Sequence, residues 1–350
     1  MATCLVFLVV NARDLQLETI MKQKRNLLKK SVALMLGSAL IAISSISAQA
    51  QTFSKPVRVI TPFPAGAGPD AATRVIGEQL TKKWGQPVVV DNKPGGNGFI
   101  AVSTFKGAPA DNHTLLVLDS SHTTTHPHTF EKLPYDVEKD FQPVGMILRT
   151  PFFIAVAADS PYKSLEDIVV AAKNNPDNIT YGSWFIGSPG HIGALRLQSL
   201  RGISMRHVPY RDFGQLYAAV ATKEVDWALG SAGSAGPMER SGRIRFIAVA
   251  ASARDPLYPN VPATAEMPNL ASYDVNAWVG IFAPRSMPAA TVDRVATDLR
   301  EALDSKDVVD RYKTFGYESP RLTPLSYGQL IQKETAGWAK IIKSANLKLD

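Results

Sequence analysis

From Val57 onward, short runs rich in Val, Ile, Leu and aromatic residues alternate with longer stretches of helical spacing, and no other feature restricts the fold as much. VRVITPF precedes a helix expected over about 70–84, VVVDN one over 97–107, and TLLVLDS a loop. After FQPVGMILRTPFFIAVAADSP comes a second series: ITYGSW with a helix over 189–201, MRHVPY with one over 213–222, then VDWALGS and RIRFIAVA. NAWVGIFAPRSMP leads to two more helices, over 290–304 and 325–344. Such alternation specifies α/β architecture with mainly parallel sheets covered by helices on both faces. Two series specify two lobes: residues 51–150 with 275–350, and residues 151–274. Crossover strands near 150 and 275 form the expected hinge. The sequence shows no internal repeat and no low-complexity tract.

The first fifty residues belong to neither lobe. Residues 22–30, KQKRNLLKK, are basic, residues 31–47 are uncharged and apolar or small, and Ala48-Gln49-Ala50 matches the small-x-small cleavage rule. This is the pattern of a secretory signal over 21–50, cleaved after about Ala50; an uncleaved anchor is the alternative, since 17 residues approach the length of a span. Met21 stands directly before the basic run, so residues 1–20 read as an upstream extension. With no twin arginine and no cysteine after the apolar run to take a lipid, the expected product is a freely diffusing periplasmic protein.

Export changes the charge and redox arguments. Without residues 1–50 the chain carries 32 Lys/Arg against 29 Asp/Glu, +3 rather than +7. No clustered basic stripe remains, so nucleic acid is not an expected partner. Cys4, the only cysteine, lies in the discarded segment, which removes disulfides, thiolate catalysis and zinc-thiolate sites from the mature chain.

Several motifs then compete. In TPFPAGAGPDAATR, Gly66, Gly68 and Ala71 satisfy a relaxed dinucleotide fingerprint, with Asp91 placed to meet a ribose. Pro62, Pro64 and Pro69 stiffen that loop and remove amide donors, and nicotinamide cofactors are intracellular reagents, so no cofactor is expected. Residues 65–68 instead offer backbone N–H groups beside a helix N-terminus, with Pro69 suited to its first position: a nest for a carboxylate-sized anion. In the second series Ser188 reads as an N-cap and Pro189 as the first helical residue. One such helix start per lobe, facing across a hinge, describes a cleft that clamps a small acid. Ser234 in AGSAG approximates a nucleophile elbow, but the last histidine, His207, precedes it, the wrong order for an α/β-hydrolase. His122, His126 and His128 are broken by Pro127 and read as solvated or cleft-lining loop residues rather than metal ligands.

The segments VRVITPFPAGAGPDAATR, VVVDNKPGGNG, LPYDVEKDFQPVG, YGSWFIGSPGHIGALRL, MRHVPYRD, GRIRFIAVAASARDPLYPNVPATAEM and NAWVGIFAPRSMP, in that order, resemble the Bug-type receptors of tripartite tricarboxylate transporters. The resemblance covers essentially the whole mature chain. It implies a periplasmic binding protein of the type II kind, non-enzymatic, closing two lobes about a small mono- or dicarboxylate and delivering it to membrane permease subunits, as a monomer. By position it implies that Phe63, Pro64, Ala65, Gly66 and Ala67 and the second-lobe Gly187, Ser188 and His191 hold the carboxylate, with Ser120, Ser121 and His122 bordering the cleft. The chain departs from the family where Trp184, Phe185 and Ile186 replace small residues and where Tyr210-Arg211-Asp212 replaces Y-[KR]-G. Trp184 stacking on an aromatic acid and Trp184 packing into its own lobe are both open; Phe185 and Tyr210 are further candidate contacts. A ligand sensor for a signalling partner, or an exported serine hydrolase, are the alternative functions.

Overall fold

The computed structural model describes residues 53–184 and 186–349. The upstream extension, the export signal and Phe185 lie outside the described residues. The strands, in chain order, are β1 (Val57–Thr61), β2 (Val88–Asn92), β3 (Thr114–Asp119), β4 (Phe141–Pro151), β5 (Phe153–Ala157), β6 (Thr180–Ser183), β7 (Arg206–Pro209), β8 (Trp227–Gly230), β9 (Ile244–Val249) and β10 (Asn276–Pro284). They form two five-stranded sheets, ordered β2-β1-β3-β10-β4 and β7-β6-β8-β5-β9. In each sheet the fourth strand alone runs antiparallel to both its neighbours: β10 in the first, β5 in the second. The two sheets thus share one strand order although the sequence carries no repeat.

Those antiparallel strands are the crossovers. β5 begins at Phe153, directly beyond the end of β4 at Pro151, and β10 enters the first sheet after the whole of the second. The crossing segments run side by side: Asn276 pairs with Pro151, and the Phe152 N–H donates to the Val275 carbonyl at 3.0 Å. A third segment joins them, since the Ala250 N–H donates to Phe152 and the Val275 N–H to Ala250. The connection between the two sheets is therefore hydrogen-bonded backbone rather than a free linker.

The main helices are α1 (Gly68–Trp84), α2 (Phe99–Lys106), α3 (Leu165–Asn174), α4 (Pro189–Arg201), α5 (Phe213–Ala221), α6 (Ala289–Leu303), α7 (Lys306–Phe315) and α8 (Pro324–Ser344). Their ends carry the expected signals. α1 ends at Gly85 and α4 at Gly202, both left-handed, with Lys82, Lys83 and Arg201 in the last turns where a cation meets the negative end of the helix. Asp212, one of the departures noted above, caps α5 by accepting from the Gln215 N–H. β3 shows why both sheet faces must be covered: Leu115 and Val117 pack with α1 and α6, while Leu116 and Leu118 pack with Phe105 of α2 and Tyr327 of α8. β5 repeats this, Ile154 and Val156 to one side and Phe153 and Ala155 to the other.

Two expectations fail. A separate helix, α7, stands between the two predicted near the C-terminus. The stretch after β3 is helical rather than a loop: a wide turn over Ser121–Thr125 runs into a short α-helix over His126–Thr129. Its hydroxyls bond back along the chain, Thr124 to the Ser120 carbonyl at 2.8 Å and Thr129 to Thr125 at 3.2 Å, so a composition that usually favours loops is satisfied within the helix. His122 and His126 are accordingly buried, not solvated.

Candidate functional site

β1 and β3 are parallel neighbours, so the turns that follow Thr61 and Asp119 leave the same edge of the first sheet. β6, β7 and β8 are likewise parallel, and Trp184, Tyr210 and Ser231 follow them at one edge of the second. Carboxyl ends of parallel strands are where open α/β sheets bind ligands.

The first turn is bound to itself. The Gly66 N–H donates to the Asp70 carboxylate at 2.8 Å and the Ala67 N–H to the Pro64 carbonyl at 3.1 Å. Asp70 is buried and also accepts from Arg74 at 3.0 Å and Asn92 at 2.7 Å. Burial would raise its pKa; the bonds from Arg74, Asn92 and Gly66 outweigh that and hold the carboxyl below its usual range. Of the predicted nest, the Ala65 and Gly68 amides are left without a hydrogen-bond partner among the described residues. Asp91, the would-be ribose ligand, is engaged by Arg58 and by Lys93 at 3.2 Å.

The second turn is built alike with other groups. Ser188 caps α4, its hydroxyl accepting from the His191 N–H at 3.3 Å, and the Gly187 N–H donates to His191 Nδ1 at 2.9 Å. His191 lies face to face with His207 at 3.9 Å between centroids, and His207 Nε2 meets the Ser183 hydroxyl at 2.7 Å. Burial pushes His191 down to about 3, with His207 adding to the effect, and burial takes His207 to about 4. Both rings are therefore neutral at pH 7. Gly187 and Ser188 are buried, and Leu349 of the C-terminal tail packs against Gly187 while donating its N–H to Thr129 of the first lobe.

Trp184 faces Phe152 edge-on at 5.5 Å and lies 5.0 Å from the Phe213 ring, with Gly190 leaving room for its six-membered ring. Tyr210 donates its hydroxyl to Glu224 at 2.9 Å. Ser234 is held by the Tyr217 and Ser231 hydroxyls, at 3.0 and 3.1 Å. His122 sits on Asp119 at 2.6 Å, its Nε2 close to Gly98, where no β-carbon could stand.

The predicted residues do not all line one cavity. Ser120 and Ser121 share a cavity of about 520 Å3 with Pro189, the residue after Ser188, so the third strand-end turn of lobe 1 and the start of α4 do meet. Ala65 and Gly66 line a separate, open groove between α1 and α7. Sequence reasoning missed the cavity's Arg149, Arg196, Glu334 and Trp338, which lie on distant elements and form no motif. Among the described residues no group of three His, Cys, Asp or Glu side chains is placed to hold a metal ion, and no helix is long and apolar enough to cross a membrane.

The sequence model of the family described as "Tripartite tricarboxylate transporter family receptor" matches residues 72–347. A protein encoded in the tcbD-tcbE intergenic region of Pseudomonas sp. (strain P51) is 30% identical over 311 residues, 88% of this chain and 92% of that one. Protein BugT of Bordetella pertussis is 27% identical, over 88% of this chain and 96% of its own. Among solved structures, MatC from Rhodopseudomonas palustris with bound malate is 30% identical with a TM-score of 0.70, covering 83% of this chain and 99% of that one. An R. palustris protein with adipate is 27% identical with a TM-score of 0.73, covering 84% and 98%.

Proposed function

The chain belongs to the tripartite tricarboxylate transporter receptor family, whose members are periplasmic solute-binding receptors, and from that premise we propose that it captures a small organic acid between its lobes and delivers it to membrane permease subunits. It does so as a monomer and without catalysis, after removal of the export signal near Ala50. The observation that carries the reading is the pair of matching turns at Gly66 and Gly187, at the strand ends of the two sheets. The acid's carboxylate is held by neutral donors: the Ser188 hydroxyl on one side and, once movement of the lobes brings the Gly66 turn from its own groove to the cleft, the Ala65 and Gly68 amides on the other. That hydroxyl accepts from its own helix and keeps its proton to donate. Ser188 is fully buried, so the acid reaches it with the lobes parted. Trp184, seated among Phe152, Phe213 and Gly190, bounds the cleft as a wall, which favours aliphatic over aromatic acids.

The test is a melting-temperature panel on protein refolded from denaturant, with malate, adipate and benzoate as probes. A ligand at 100 times its dissociation constant stabilises by about 2.7 kcal/mol, a shift of a few degrees in a chain of this size. We expect shifts with the aliphatic acids, weakened by about 1 to 3 kcal/mol of binding in Ser188→Ala, the order of one hydrogen bond to a charged group. No shift with any acid removes the proposal; a shift with benzoate alone returns Trp184 to a stacking role.

A further inference from the structure

The 520 Å3 cavity lies at the hinge, between Ile192 and Arg196 of α4 in lobe 2 and α8 with the β4 and β10 strands in lobe 1. Its walls are largely apolar, formed by Ile192, Trp278, Leu330, Trp338 and Ile341, and it opens to solvent past Lys333 and Gly337. Its charges are unbalanced: Arg149, Arg196 and Lys333 against Asp274 and Glu334. Arg149 is paired with Asp274 at 2.8 Å and with Glu318 at 3.3 Å. Arg196 is different. Its guanidinium is fixed by the Asp274 carbonyl at 3.0 Å, by the Ser272 carbonyl and by the Trp338 ring at 5.6 Å, yet it has no carboxylate partner among the described residues.

One further group lacks a partner. The Ser121 hydroxyl is buried on the cavity wall and makes no hydrogen bond among the described residues. A buried polar atom without a partner costs about 1 to 3 kcal/mol, so such atoms mark where an occupant belongs. The Glu334 carboxylate, which accepts from the Trp278 indole at 2.7 Å, is raised above its usual range by burial, which lessens its repulsion of an anion.

We propose that this hinge cavity is a second binding site, for an amphipathic carboxylic acid whose carboxylate meets Arg196 and Ser121 and whose apolar body lies between Ile192 and the Trp278 and Trp338 rings. It differs in chemistry from the pair of turns at Gly66 and Gly187, which has no arginine among its carboxylate donors; Ser120 and Ser121, expected to border the cleft, line this cavity, whereas Ala65, Gly66 and Ser188 do not, so it does not depend on the reading of those turns. A guanidinium already fixed by carbonyls and an aromatic face loses little freedom when the acid arrives.

Octanoate is the probe, titrated into the purified protein by calorimetry with tryptophan fluorescence in parallel. Three variants separate the cases. Arg196→Gln removes the charge. Gly337→Phe fills the cavity mouth: nothing stands within 4 Å of where a β-carbon would project, and a helix gains from losing its glycine, so this variant folds. Ser188→Ala alters the cleft only. The expected result is binding by the unaltered protein with quenching of its tryptophans, weakened at least tenfold in Arg196→Gln and Gly337→Phe and unchanged in Ser188→Ala. Octanoate that binds Gly337→Phe undiminished, that is lost in Ser188→Ala, or that fails to bind the unaltered protein overturns the site.

Discussion

At Gly66 and at Gly187 the backbone takes the same course. Each glycine has φ +83°, each is followed by an extended N-cap (φ −63°, ψ 154° at Ala67; φ −61°, ψ 156° at Ser188), and each donates its N–H to the side chain four residues on. The difference is what receives that N–H: an ionised carboxylate in lobe 1, a neutral imidazole in lobe 2. Asp70 supplies the first helix start with its own anion, whereas the second, with His191 neutral, keeps its positive end uncompensated. Two turns of one geometry are therefore unequal receptors, and the second should contribute more of the attraction for an acid.

The comparison can be broken first at Asp70. Asp70→Ala removes a buried acceptor of three bonds and leaves Arg74 with Asn92 but no carboxylate, which should cost about 3 kcal/mol in urea unfolding while malate affinity changes less than tenfold. A stable variant would mean that the first turn does not need its internal anion. Transplanting that anion is the converse: His191→Asp places a negative charge in the second turn and should weaken malate binding about 100-fold or more by calorimetry, since like charges in a closed site cost several kcal/mol. Unchanged affinity would move the carboxylate away from this turn.

The glycines sharpen the comparison at smaller scale. An alanine at φ +83° is strained in either turn by about 1 to 2 kcal/mol. At Gly66 the new β-carbon meets nothing within 4 Å, while at Gly187 it stands 2.9 Å from Leu349. Gly187→Ala should therefore be the less stable of the two in thermal melts; equal losses would mean that the tail does not rest on the turn. The last test is of pH. His191 and His207 titrate below 6.5 when folded, so the unfolded chain binds more protons in acid and stability, full above pH 6.5, falls as pH drops toward 4. The slope is at most about 1.4 kcal/mol per pH unit for each ring, and less for the partly exposed His207. His207→Asn should flatten that slope, whereas an unaltered slope would assign it elsewhere.

Much of this was legible in the residues. The helical spacing and the cap signals placed α4 at Pro189–Arg201, because a serine and a proline stand at the required positions at its start. The antiparallel fourth strands were not legible: β5 is apolar throughout and β10 is so from Ala277 on, and burial on both faces erases any sign of direction. The helical turn at Ser121–Thr125 was hidden by a composition that normally belongs to loops. At the site, the glycines and caps were readable, but not that Asp70 and His191 would take the very amides offered to a ligand, since that depends on side-chain reach across one helical turn. The hinge cavity left no trace in sequence because its charged groups are contributed by β4, α4, the segment before β10, and α8.

The exchange of crossover strands also sets an order of assembly. β5 through β9 are contiguous, so a chain emerging N-terminus first can complete its second sheet once Val249 is free. The first sheet, begun earlier, has a gap between β3 and β4 that only residues 276–284 fill. The lobe made first is thus finished last, and until β10 arrives its β3 and β4 edges stand open to pairing with any other strand.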